Sequence, residues 1–222
     1  MSEDYKLIDI SQWMGDFLFP GNPEFEAKGP FNRVSGDNPE FVYDLVMCSQ
    51  QGTHIQGPHY FLESGTRIHE IPLSCFEGPA FIIDLEKRGI DTTRQELIEK
   101  IGQRDLNARI LVLRTGNMEE IIAAKSIDPM QRPGLSMDAA QYLAEEQKVK
   151  MIAIDSIGVE SRQTKNYEIN KYLCQRGVLL LEGLVDLHKI TAKEFFLEAF
   201  PLKIRGIEGT PCRAIVKEPS SQ

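Results

Sequence analysis

An α/β fold built on a mixed sheet is predicted by three features of the sequence. Apolar runs at residues 79–85, 109–114, 149–154 and 178–182 are too continuous for surface strands and read as buried ones. Helical patterns alternate with them, the clearest opened by Thr93-Arg94-Gln95-Glu96. Further β segments at both ends of the chain add to that parallel core, which makes the pairing mixed. No internal repeat or low-complexity segment divides the chain, so one domain over residues 1–222 is expected.

The elements follow in order. Residues 5–10 alternate apolar and polar and form the first strand. A stretch rich in Gly, Pro and aromatics, from Trp13 to about residue 40, reads as one long irregular loop. Such loops are usually functional or meet a partner chain. Trp13, Phe17, Phe19, Phe25 and Phe31 would otherwise face water, although folding of the loop over its own core accounts for them equally well. Residues 41–48 form a strand that feeds into Gln50-Gln51-Gly52-Thr53-His54, and strand exits are where chemistry collects. The Thr93 capping box opens a helix to Ile101. A second helix starts near Ser136, with Ala139, Ala140, Leu143 and Ala144 on one face. A third, over 168–176, stops at Gly177, and the strand after it ends on a carboxylate, Glu182. Residues 195–204 and 212–216, turning around Glu208-Gly209, form a closing hairpin.

Of the 222 residues, 33 are acidic and 25 basic, a net charge of −8 with His neutral. That balance argues against a nucleic-acid binder, whose surface must meet phosphates. No apolar run reaches the roughly 18 residues of a membrane span, and the start Met1-Ser2-Glu3-Asp4 is acidic, so a cytoplasmic protein with no membrane partner is expected. Cys48, Cys75, Cys174 and Cys212 are scattered, which suggests neither a disulfide framework nor a zinc knuckle. No glycine-rich nucleotide motif occurs. His69 and His188 sit in turns and read as surface or capping residues.

The segment from Gln50 to Phe61 gathers two His, three Gln and a Tyr beside two glycines. In an extended strand, positions 50, 54, 56 and 60 would share one face and His59 would point the other way. Two readings are open: a site, or a solvated loop whose His caps local backbone. Glu182 is likewise a site carboxylate or a solvated strand end, and Tyr60 a site hydroxyl or a packed ring.

This segment resembles the H-x-G-T-H-x-D-x-P-x-H signature of the cyclase superfamily, which includes bacterial kynurenine formamidase, an arylformamidase, and isatin hydrolase. Further blocks match that family in order: Asp9-Ile10-Ser11, Pro20-Gly21-Asn22-Pro23, Ile71-Pro72-Leu73, Leu113-Arg114-Thr115-Gly116, Pro133-Gly134-Leu135-Ser136, Ile154-Asp155, Leu181-Glu182-Gly183-Leu184 and Gly209-Thr210-Pro211-Cys212-Arg213. The resemblance implies a swivelling β/β/α domain with a mixed sheet, assembled as a homodimer or homotetramer. It also implies hydrolysis of a small amide, formamide or lactone, with divalent metal held by the motif's His and Asp and by a later His and Glu. Carried over residue by residue, the first motif His is Gln50, the second remains His54, the Asp is Gln56 and the last His is Tyr60. The later His aligns with Asn170, and the later Glu remains Glu182.

Zinc and manganese sites need imidazole nitrogens or anionic carboxylates, and a neutral carboxamide oxygen is a weak donor that balances no metal charge. No metal is therefore expected, the alternative being zinc or manganese on a set rebuilt from His54, His59 and Glu182. Without metal, His54 would serve as general base, Glu182 would orient it and Tyr60 would donate to the developing oxyanion. Gln50, Gln56, Asn170 and Trp13 would hold the small-molecule substrate. The expectation is a hydrolase or cyclase-like protein with an altered, metal-poor site. The alternative is a non-catalytic relative that keeps the pocket to bind a small molecule.

Overall fold

The computed structural model describes residues 5–31, 40–85 and 89–219; the acidic start and residues 32–39 of the expected loop lie outside them. The chain runs through β1 (Tyr5–Asp9), β2 (Glu26–Phe31), β3 (Val42–Val46), β4 (His54–Gln56), β5 (Glu77–Asp84), a short β6 (Asp91–Thr92), α1 (Arg94–Ile101), β7 (Ile110–Arg114) and α2 (Asn117–Ala124). It continues through β8 (Gly134–Leu135), α3 (Met137–Gln141), β9 (Met151–Ile154), α4 (Glu168–Gln175), β10 (Leu179–Glu182), β11 (Glu194–Pro201) and β12 (Gly209–Pro219). Eight strands form one sheet in the order β1-β12-β11-β5-β7-β9-β10-β4. Its centre, β5, β7, β9 and β10, is parallel, whereas β11, β12 and β1 add on antiparallel. The sheet closes because β4 bonds β10 on one side and the first residues of β12 on the other.

Side-chain alternation along the central strands fills two cores. Ile110 and Val112 of β7 point into the closed sheet with Ile82, Met151 and Ala153. Leu111 and Leu113 point outward, against Leu97 and Ile101 of α1 and Leu173 of α4. With both faces covered, these strands need no polar alternation, which is why the sequence shows continuous apolar runs. The helices begin where their caps place them. Thr93 and Glu96 exchange bonds at the start of α1, and the Ser136 hydroxyl accepts from Ala139 N at the start of α3.

Two parts of the chain differ from expectation. The stretch read as one irregular loop contains β2, which pairs antiparallel with β3. Gly29 and Pro30 interrupt its apolar pattern, so the strand looks like loop in sequence. Every residue of β2 and β3 is exposed, so neither face of this hairpin is covered by the described chain. The second difference is α2, which follows Gly116 (φ 70) without a side-chain cap. Its first amide, Asn117 N, donates to the Thr115 hydroxyl at 3.1 Å, and the next, Met118 N, donates to the carbonyl of Asp155, just past the end of β9, at 2.8 Å. No capping residue announces such a helix.

The ends of β5 and β7 are joined by charge. Asp84 lies opposite Arg114 in the ladder and accepts from its Nε at 2.5 Å, and Lys193 Nζ donates to the other carboxylate oxygen at 2.9 Å. Arg114's bond, followed by Lys193's, holds the Asp84 carboxyl down at about 2, against an ordinary 3.8. A lowered folded-state value stabilises the protein above the ordinary value, and that contribution disappears as pH falls from about 4 toward 2. The pair is partly exposed, so the gain is modest, no more than about 1 kcal/mol. Urea unfolding across that window should show Asp84→Asn less stable than wild type at pH 6, with the gap closing toward pH 2. A gap that persists unchanged at pH 2 would refute the assignment.

Candidate active site

The register of three strands assembles this site. His54 of β4 lies opposite Glu182 of β10, so the two side chains project from the same face as cross-strand neighbours. His54 Nε2 is 3.6 Å from Glu182 Oε2. Two residues along the same face, Gln56 Nε2 donates to Glu182 Oε1 at 3.0 Å. All three side chains are buried. His54 Nδ1 lies 2.9 Å from Gly52 O, and a carbonyl only accepts. Nδ1 therefore carries a proton, and in the neutral ring Nε2 presents its lone pair to the site.

Glycine makes room for the carboxylate. Gly158, at φ +129, lies behind Glu182, and a Cβ there would come within 3.2 Å of Oε1. The Gly183 carbonyl ties the neighbouring segments together by accepting from Thr53 Oγ1 at 2.6 Å and Gln12 Nε2 at 2.9 Å.

Above this floor opens a cavity of about 200 Å³. Aromatic rings form much of its wall: Phe61 packs edge-on against Tyr60 (centroids 4.5 Å apart) and tilted against Tyr167 (5.4 Å). Burial, followed by the negative charge of Glu182, raises the Tyr60 phenol above its ordinary value, so its hydroxyl remains a donor at neutral pH. Glu160 lines another side and caps α4. It accepts from Ile169 N at 3.2 Å, from Asn170 N and Nδ2 at 2.9 Å each, and from the Thr164 hydroxyl. Arg132 Nη2 donates to the Glu160 main-chain carbonyl at 2.9 Å.

Six of the residues singled out in the sequence line this one cavity: Gln50, His54, Gln56, Tyr60, Asn170 and Glu182. They do not reach it along a single extended strand. Strand alternation holds only for His54 and Gln56, because β4 spans three residues and Pro58–Tyr60 form a 3₁₀ turn. His59 stands off the shared face, as expected: it does not line the cavity, and its buried Nδ1 has no partner among the described residues, so His54, His59 and Glu182 are not brought together there. Trp13 also lies elsewhere, 81% exposed beside a separate groove with Lys6 and Arg213. Gln12, Arg132, Glu160 and Tyr167 line the cavity without having been anticipated. Each comes from a different segment, and no local pattern marks any of them.

Comparison with known proteins follows the same lines. The Cyclase family model, described as "Putative cyclase", matches residues 8–161. The chain belongs to the cyclase family. Among its relatives in that family is kynurenine formamidase of Bacillus cereus, 27% identical over 215 residues, covering 94% of this chain and 92% of the relative. Kynurenine formamidase of Geobacillus thermodenitrificans is 27% identical over 216 residues, with 95% and 97% covered. Isatin hydrolase A of Labrenzia aggregata shares the fold at a TM-score of 0.85 and 19% identity, over 97% of this chain and 94% of that one. A further solved structure, described as a potential metal-dependent hydrolase with cyclase activity, has a TM-score of 0.79 at 23% identity, covering 98% of this chain and all of its own.

In this member of the cyclase family, the donors at the cavity floor fit a divalent ion poorly. One imidazole nitrogen and one carboxylate oxygen face each other, while Gln56 turns its N–H toward Glu182. Gln50 and Asn170, whose amide nitrogens each donate to a carboxylate (Glu208 and Glu160), could offer an ion only neutral carboxamide oxygens, which balance no metal charge. Among the described residues, no group of three or more His, Cys, Asp or Glu could hold a metal ion. Zinc and manganese sites normally draw three or more such ligands.

The space behind Glu182 is testable. Gly158→Ala adds a Cβ against the carboxylate at a φ that L side chains rarely adopt, and should cost about 1–3 kcal/mol. Thermal unfolding should register this as a fall of roughly 2–10 °C in Tm. Gly177→Ala is the control, since its positive φ is met by open space, and it should cost less. Equal losses at the two positions would mean that the contact with Glu182 contributes nothing.

Proposed function

We propose that this cyclase-family chain hydrolyses a small amide, formamide or lactone in the cavity, by acid–base chemistry on its own side chains and without a resident zinc or manganese ion. The observation that carries the reading is the His54–Glu182 pair, with Nε2 unprotonated in the neutral ring, on the floor of an aromatic-walled cavity. The kynurenine formamidase and isatin hydrolase relatives support the reaction class.

His54 Nε2 takes a proton from water as the water oxygen bonds to the substrate's carbonyl carbon. Glu182, 3.6 Å away, stabilises the imidazolium that forms. The carbonyl oxygen becomes an oxyanion, to which the Tyr60 hydroxyl donates. Collapse breaks the C–N or C–O bond and the imidazolium protonates the leaving group, which restores neutral His54. The Gly52 carbonyl holds the ring in the required tautomer throughout.

The exposed hairpin supports an assembly of two or four copies. Phe31, Val42, Tyr43, Leu45 and Val46 are all exposed on β2 and β3, and a second copy of the chain would cover them. Among the described residues, no helix is long and apolar enough to cross a membrane, and the reading places the assembly in the cytoplasm.

Turnover of an aryl formamide, followed by release of the arylamine, should fall by about 10²–10⁴ in His54→Ala and by about 10² in Tyr60→Phe. Dialysis against chelator should leave it unchanged. A rate abolished by chelator and restored by zinc or manganese would overturn the metal-independent mechanism. Binding without turnover would replace hydrolysis with a small-molecule-binding role. Light scattering should give a dimer or tetramer that Leu45→Asp dissociates, and a wild-type monomer would refute the assembly.

A further inference from the structure

Four buried side-chain atoms of residues lining the cavity have no partner among the described residues, and they divide evenly. Gln12 Oε1 and Asn170 Oδ1 accept, whereas Gln51 Nε2 and Arg132 Nε donate. As a set they favour no ligand charge. Gln51 is set apart by how it is held. It is only 3% exposed. Its main-chain N–H donates to Cys48 O at 3.3 Å, and its side-chain Oε1 accepts from Cys48 N at 3.2 Å. A main-chain N–H only donates, so the amide oxygen lies on that side and Nε2 is the end left over. A buried N–H without an acceptor is unfavourable, and an acceptor on a bound molecule relieves it.

The spare N–H suits the charge that the proposed reaction creates. An effective oxyanion donor is fixed in advance, shielded from water and unspent before the oxygen becomes charged. Tyr60 alone meets these conditions incompletely, since the residue is 41% exposed and water competes for its hydroxyl. Gln51 meets all three. It also directly precedes Gly52, whose carbonyl lies 2.9 Å from His54 Nδ1, so one turn of chain carries both the base and the donor. Arg132, the other residue with a spare donor, comes from a separate segment, and its Nη2 donates to the Glu160 main-chain carbonyl. Position 51 is the unspecified one in the H-x-G-T-H pattern, so no metal ligand is expected there.

We infer that Gln51 is a catalytic residue, whose Nε2–H donates to the substrate's carbonyl oxygen and, with Tyr60, holds the oxyanion as water adds to the carbonyl carbon. This rests on the reading that the cavity hydrolyses an acyl compound. Steady-state turnover of formanilide by the full chain tests it. Gln51→Glu keeps an oxygen for Cys48 N and exchanges the donor for an acceptor, so the fold is retained while kcat falls by about 10²–10³. KM should change little, because the bond strengthens as the oxygen becomes charged. Gln51→Met removes the donor without adding charge, and its kcat should fall by a similar factor. Wild-type kcat in Gln51→Glu would overturn the inference, and so would a loss in Gln51→Glu that Gln51→Met does not share, since charge alone would then account for it. Calorimetric titration supplies a readout that needs no turnover. Acetanilide should bind the wild type about threefold or more tightly than N-ethylaniline, which has a methylene in place of the carbonyl, and Gln51→Met should erase that preference. A preference that survives in Gln51→Met, or binding of neither compound, would overturn the inference. A wild type that shows the preference but turns over no amide, formamide or lactone would overturn the hydrolase reading and leave Gln51 as a carbonyl-binding residue.

Discussion

β4 is three residues long, and the position of everything at the cavity floor depends on where it pairs. Its backbone bonds β10 on one side and β12 on the other, which closes the sheet and leaves it no free edge there. Because side chains alternate, a slip of one residue would turn His54 and Gln56 away from the cavity and bring Ile55 in their place. Ile55 prevents that slip: it is fully buried in the interior core with Leu181 and Ile8. Beyond the strand, Thr53 Oγ1 donates to Gly183 O, Cys212 N to Thr53 O and Gly57 N to Glu208 O, so the register is fixed from both ends. The same apolar residue that closes the barrel thus aims the imidazole at the carboxylate.

Two buried carboxylates face the cavity, and they are satisfied to different degrees. Burying a charge is unfavourable unless hydrogen bonds replace the lost water. Glu160 receives two main-chain amides from the first turn of α4, a side-chain amide and a hydroxyl, and it sits where the helix dipole is positive. Glu182 receives one amide N–H, from Gln56, and faces the His54 ring at 3.6 Å. Glu160 is therefore a structural carboxylate that holds Asn170 and the start of α4. Glu182 keeps acceptor capacity, and it is the one beside a group able to carry a proton.

The parallel core and three of the four helices were legible in the sequence for one reason: their signals are local. Strands buried on both faces read as continuous apolar runs, and Thr93, Ser136 and Gly177 mark helix ends by side-chain or backbone chemistry that one residue supplies. The β2–β3 hairpin and α2 lack such signals. The hairpin buries neither face against the described chain, and at the start of α2 Met118 N is met by the carbonyl of Asp155, 38 residues after the helix begins at Asn117. The site divides in the same way. His54 and Gln56 share a face by strand alternation alone, whereas Gln50 and Tyr60 arrive through turns, and Gln12, Arg132, Glu160 and Tyr167 arrive through topology. Trp13 was attractive as a residue type, but type does not say which way the backbone turns, whereas His59 stands off the shared face as alternation placed it.

The fold and the chemistry of this site are set by different parts of the chain, and that separation explains how family ligands can change while the scaffold persists. Register, the Gly158 gap and the Gly183 carbonyl place Glu182 whatever occupies its neighbours. The neighbours must then suit a buried carboxylate. Gln at position 56 supplies a donor at 3.0 Å, where the Asp of the family motif would set a second negative charge beside the first. Asn170 does the same for Glu160. The carboxamides therefore form a self-consistent set: each gives to a carboxylate the positive end of a dipole, where a metal-binding site would supply a cation shared among its ligands. Asp at position 56 would put a second carboxylate beside Glu182 in place of the donor that Gln56 supplies, an arrangement that only a cation between the two would balance.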